Sequence, residues 1–133
     1  MIGLGTNVVV RYLTQDDPQQ SRRATQTFDH QLTTAEPGFL SVVTMVETVW
    51  VLDRAYGLAT REIAAAVERM LQTEVLQIEN EQEVFTAMIA LKEKRGTFAD
   101  ALIAALGAKA GCKHTLTFDQ KALRLSGVQP AQM

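Results

Sequence analysis

The chain has 133 residues, 47% of them apolar, with 3 Pro, 8 Gly and 1 Cys, which suits one domain spanning 1–133 and excludes a disulfide-stapled scaffold. A formal net charge of −2 excludes a nucleic-acid binder driven by bulk positive charge. No stretch approaches the roughly 20 apolar residues of a membrane helix and the N-terminus lacks a basic-then-apolar signal pattern, so a soluble cytoplasmic protein is expected.

Ile2-Gly3-Leu4-Gly5 reads as a short strand opening into a helix that carries Val8, Val9, Val10, Tyr12 and Leu13, with Thr6 as its N-cap. Asp17-Pro18 starts a second helix, because Asp17 can cap and Pro18 stands where a missing N–H costs nothing. That helix runs to about 32, and Ala24, Phe28 and Leu32 form its thin packing stripe. After the Glu36-Pro37-Gly38 turn, Phe39-Leu40-Ser41 is a very short strand or the lead-in to a third helix. From 42 to about 56 this helix is apolar nearly all round, which predicts burial for most of it, Trp50 included, and a stop at Gly57.

Thr60 begins a fourth helix with Ile63, Val67, Met70 and Leu71 at amphipathic spacing, and 75–78 alternates as a strand. A fifth helix, 81–95, sets Val84, Phe85, Met88, Ile89 and Leu91 on one face and ends at Gly96 in a left-handed cap. The sixth, 99–110, closes at Gly111; 114–118 is a strand, 120–125 a short helix, and Val128 starts an edge strand. Cys112 reads as a small buried hydrophobe, and His30 and His114 are too isolated to share a metal. Strands alternating with helical stretches predict an α/β layered fold with a mainly parallel sheet.

Ligands of open α/β sheets sit at the carboxyl ends of the strands, so the acids there carry the chemistry. Glu47 lies in an apolar helix, on a face shared with Val43, Trp50 and Val51, where an unpaired charge needs a cation; pairing with Arg54 is the ordinary alternative. Asp100 follows Thr97 at capping-box spacing, and Asp119 ends the strand His114-Thr115-Leu116-Thr117-Phe118, so either alone reads as a helix cap. Converging above one sheet edge, the three would repel unless a hard cation sat among them. Mg²⁺ suits such oxygen ligands, lowers the pKa of a bound water and neutralises phosphoryl charge, which is what phosphodiester hydrolysis requires.

Leu4-Gly5-Thr6-Asn7 with its Val-rich helix resembles the opening motif of PIN-domain toxins of the VapC type, which carry aspartate where this chain has Gly5. The other blocks match in order: Glu47 in its apolar helix, Phe98-Ala99-Asp100-Ala101-Leu102-Ile103-Ala104, and Thr117-Phe118-Asp119. That resemblance implies a three-layer α/β/α sandwich and an endoribonuclease using Mg²⁺ or Mn²⁺. It also implies Glu47, Asp100 and Asp119 as catalytic acids and metal ligands, with Asn7 and Thr117 supporting them. Of the basic residues Arg11, Arg22, Arg23, Lys92, Lys94 and Arg95, which otherwise read as a solvated face, Arg11 alone is expected on an RNA path. A VapB-type antitoxin, an RNA substrate and a homodimer are the implied partners.

Gly5 brings no oxygen ligand, and losing one acid of a set acting as a unit costs orders of magnitude in rate, so impaired catalysis is expected. A detoxifying substitution and a natural loss both explain it, and the intact remainder of the motif, Asn7 included, favours the first. The alternative function is a non-enzymatic module that holds an antitoxin-like peptide against the apolar helices around Val9, Leu13 and Trp50. A response-regulator receiver fits poorly, because the acidic pair after the first strand is missing.

Overall fold

Five short parallel strands organise the chain in the computed structural model, which describes residues 1–131. β1 (Ile2–Gly3), β2 (Gly38–Leu40) and β3 (Leu76–Ile78) form a parallel sheet in that order, with Ile2 opposite Gly38 and Leu40 opposite Ile78. β4 (Thr115–Thr117) pairs with β5 (Val128–Pro130) in a second parallel sheet, Thr115 opposite Val128. Parallel neighbours need long crossovers, and helices supply them. α1 (Thr6–Thr14) and α2 (Pro18–Gln26) join β1 to β2; α3 (Val42–Arg54) and α4 (Thr60–Leu71) join β2 to β3. α5 (Glu81–Lys92) and α6 (Phe98–Lys109) lead from β3 to β4. The architecture is the expected α/β/α sandwich, with its strands in two hydrogen-bonded pieces.

Local chemistry sets the helix boundaries. The Asp17 carboxylate accepts the Gln19 and Gln20 N–H groups at 3.1 and 2.9 Å, so α2 starts at Pro18 as its sequence requires. After Gln26 the backbone widens into a π-helical turn over Thr27–Gln31, which lays the Phe28 ring against Tyr12 of α1 with centroids 3.8 Å apart. Gly57 takes φ +60° and its N–H closes α3 on the Asp53 carbonyl. Leu40, Met45, Leu52, Val67, Val84, Met88 and Leu102 are fully buried between the sheet and these helices.

Five local expectations fail for identifiable reasons. Gly5, not Thr6, is the N-cap residue of α1, and the Thr6 hydroxyl turns instead to Glu47. Trp50 and Phe85 are 58% and 49% exposed rather than packed, because α3 and α5 meet the core through Met45, Thr48, Val49 and Leu52, and through Val84, Ala87 and Met88. Lys94, at φ +58°, takes the left-handed turn after α5; Gly96 is small for another reason, since a Cβ there would stand 2.9 Å from Leu125 Cδ1. Cys112 is exposed, because Gly111 (φ +97°) turns the chain to the surface just before it.

One buried polar group on α3 has no partner. Thr48 is fully buried and its hydroxyl makes no hydrogen bond among the described residues. Thr48→Val is therefore expected to raise stability by roughly 1 kcal/mol, read as an upward shift in thermal denaturation, since it removes an unsatisfied hydroxyl at nearly constant shape.

A polar network ties α1 to the chain beyond α3. The Arg11 guanidinium donates to Gln20 Oε1 at 2.8 Å, to Tyr56 Oη at 2.8 Å and to Asp16 Oδ1 at 3.1 Å. Asp16 also accepts the Tyr56 and Thr14 hydroxyls at 2.6 and 2.8 Å. The Tyr56 hydrogen bond, reinforced by Thr14, holds the Asp16 carboxyl well below its ordinary 3.8, at about 2. A depressed folded-state pKa contributes stability that is complete above the unfolded value and lost as the pH falls through the folded one. Asp16→Asn is thus expected to lower Tm at neutral pH, and the gap from the parent to close between about pH 4 and about pH 2 in a pH series of thermal melts. A gap that stays constant across that window would show that the charge of Asp16 does not contribute.

Candidate functional site

Because β1, β2 and β3 are parallel, their carboxyl ends open on one edge, and the residues following each strand share it. Leu4 and Gly5 follow β1, Ser41 follows β2 and caps α3 through the Thr44 N–H, and Glu79 follows β3. Glu79 is a strand-end acid that the sequence pattern alone did not bring out, although its position directly after the strand was the available signal. Its Oε1 accepts the Val42 N–H at 2.8 Å, so it holds down the first turn of the helix that carries Glu47.

Glu47 is exposed, not buried as its apolar neighbours suggest, because it shares the outer stripe of α3 with the exposed Val43 and Trp50. It makes no ion pair with Arg54, which lies 3.8 Å from Asp53 instead. Its carboxylate receives the Thr6 hydroxyl, which sets it at the head of α1 beside Gly5. Asn7, exposed in the first turn of α1, belongs to the same corner.

Asp100 is half-buried in the first turn of α6, where its N–H donates to Thr97 Oγ1 at 3.1 Å. Asp119 is exposed at the end of β4; its N–H reaches Thr117 Oγ1 at 2.9 Å, and its carboxylate caps the following 3₁₀ turn (Gln120–Arg124) through the Lys121 N–H at 2.9 Å. Thr117 therefore orients the backbone of Asp119. Glu47 is joined to the Gly5 corner, whereas no hydrogen bond links Glu47, Asp100 and Asp119 to one another among the described residues. Arg11 turns its guanidinium into the Asp16–Tyr56 network.

Among the described residues, no three His, Cys, Asp or Glu side chains gather as a group able to hold a metal ion. The backbone at Gly5 nevertheless leaves room for a further ligand. Its φ of −83° and ψ of 160° suit any L-residue, a Cβ built there meets nothing within 4 Å, and this N-cap position has no side-chain cap.

Residues 4–128, nearly the whole chain, match the PIN domain profile. The chain belongs to the PIN-domain family. Comparison with curated proteins and with solved structures finds no match. A PIN domain is a nuclease-type fold, generally one that works with divalent metal ions. The matched span of this PIN domain takes in Gly5, Glu47, Asp100 and Asp119. No helix among the described residues is long and apolar enough to cross a membrane.

Proposed function

We propose that this chain is a single PIN domain spanning 1–133 and the toxin component of a type II toxin–antitoxin pair: a Mg²⁺-dependent endoribonuclease, with Mn²⁺ as a substitute ion, whose catalysis is impaired because Gly5 stands where an aspartate completes the site. Glu47, Asp100 and Asp119 are the acids it retains, with Asn7 and Thr117 in support. A VapB-type antitoxin, an RNA substrate and a second copy of the chain are its partners, and the cytoplasm its compartment.

The observation that carries this reading is the uncapped, unobstructed N-cap at Gly5, set beside the Thr6–Glu47 contact. A carboxylate grafted there adds the missing oxygen ligand without displacing any neighbour. The test is to make Gly5→Asp and follow RNA cleavage with Mg²⁺ or Mn²⁺; no gain over the parent counts against it. One observation favours a second reading, a non-enzymatic PIN-fold module that binds an antitoxin-like partner: the described acids do not gather into a metal-holding group.

A further inference from the structure

A cavity of about 720 Å³ runs between α3, the end of α5, the start of α6 and the 3₁₀ turn. Its floor is apolar, formed in part by Val49, Ile63 and Phe98. Its charged lining is strongly biased: Arg54, Lys94, Arg95, Lys121 and Arg124 face it against the single carboxylate of Asp53. Arg54 is neutralised by Asp53, and Arg95 by Glu93 at 2.8 Å. No carboxylate of the described residues ion-pairs with Lys94, Lys121 or Arg124. In a chain of net charge −2, this concentrates unpaired positive charge in one groove.

Trp50 lines the same groove and is 58% exposed, an unusual place for the chain's only tryptophan. Helical spacing puts Glu47, Trp50 and Arg54 on one stripe of α3, about 10 Å from the first to the last at 1.5 Å per residue. The stripe therefore leads from the Gly5 corner directly into the groove. At the far side, Asp119 caps the very turn that carries Lys121 and Arg124, and Thr97 and Ala99 of the lining flank the Asp100 segment.

We infer that this groove binds single-stranded RNA, with Trp50 as a base-stacking platform and Lys94, Lys121 and Arg124 as phosphate contacts. The inference rests on the reading of the chain as an RNA-directed PIN domain, and it extends that reading from the acids to the path that delivers the strand. An exposed aromatic ring beside unpaired cations is the combination that binds single strands without base readout: stacking uses the π-face that every base has, and the cations follow the backbone. A duplex keeps its bases stacked on one another and offers Trp50 none.

The test needs no cleavage, so its failure is separate from failure of the nuclease reading. The full chain is titrated in EDTA with a short mixed-sequence single-stranded RNA, following Trp50 emission and the anisotropy of labelled RNA. Quenching of the tryptophan at saturation is expected. Trp50→Ala is expected to weaken binding by roughly 5- to 150-fold, with Trp50→Phe recovering much of the loss. Lys121→Ser with Arg124→Ser is expected to reduce the slope of log affinity against log salt by about 0.7 for each charge removed. These side chains are exposed, so unchanged melting temperatures accompany the expected result. The inference is overturned by unmoved tryptophan emission at saturating RNA, by affinity indifferent to both sets of substitutions, by equal affinity for duplex RNA, or by an acidic peptide that quenches Trp50 and displaces the RNA at equal concentration.

Discussion

Gly5→Asp is expected to raise metal-stimulated RNA cleavage by about 10²-fold or more over the parent chain, because a missing member of a cooperating acid set accounts for losses of that order. The backbone already has the conformation an aspartate needs, and a Cβ at this position points into open space, so the substitution changes chemistry without rebuilding the fold. Aspartate at this position also caps α1, and that effect must be separated from catalysis. Relative to glycine, a good cap adds only a few tenths of a kcal/mol, and asparagine caps as well as aspartate does. Gly5→Asn is therefore expected to match Gly5→Asp in melting temperature without metal and to remain as inactive as the parent. Adding Mg²⁺ or Mn²⁺ is expected to raise the melting temperature of Gly5→Asp alone, because only that variant gains a charged oxygen ligand beside Glu47. Asp100→Asn in the Gly5→Asp background is expected to abolish the restored cleavage. Activity equal in the aspartate and asparagine variants, or absent from both, would remove the acid at position 5 from the chemistry.

Signals confined to a few neighbouring residues are legible in the chain alone. Asp17-Pro18 starts α2, Thr97 caps α6 through the Asp100 N–H, and Gly57 ends α3, each because one side chain or one φ angle decides the outcome locally. Features that depend on which helix face meets the sheet are less secure. The third helix has apolar residues all round, so composition does not distinguish Met45 and Leu52, which are buried, from Val43 and Trp50, which are exposed. Glu47 reads as buried for the same reason: its neighbours in sequence are apolar, but the stripe it occupies faces outward. Contacts across long sequence separations carry no local signal at all. Tyr56 meets Arg11 from 45 residues away, and Glu79 holds the N-terminus of α3 from 37 residues away. The basic groove likewise exists only because α3, α5 and the turn after Asp119 are brought together, and the overall charge of the chain gives no hint of it.

Leu40→Ala is expected to cost about 2–5 kcal/mol, the largest stability loss of any of these substitutions, and to lower the denaturant midpoint without restoring any function. Leu40 is fully buried at the end of β2, the central strand of the main sheet, opposite Ile78 of β3, and its carbonyl accepts the Glu79 N–H at 3.0 Å. Truncation leaves a cavity between the sheet and the helices packed on it, where the flanking backbone is fixed by ladder hydrogen bonds on both sides and collapses poorly. Val43 gives the internal comparison: it lies only three residues on, is equally apolar in sequence, and is 74% exposed. Val43→Ala is expected to change stability by less than about 0.5 kcal/mol, because a side chain already in water loses almost no burial when shortened. Equal losses for the two variants, measured by denaturant unfolding, would mean that the outer stripe of α3 is covered in solution. Glu47 and Trp50 lie on that stripe, so the same pair of measurements also tests whether the path from the Gly5 corner to the groove is open.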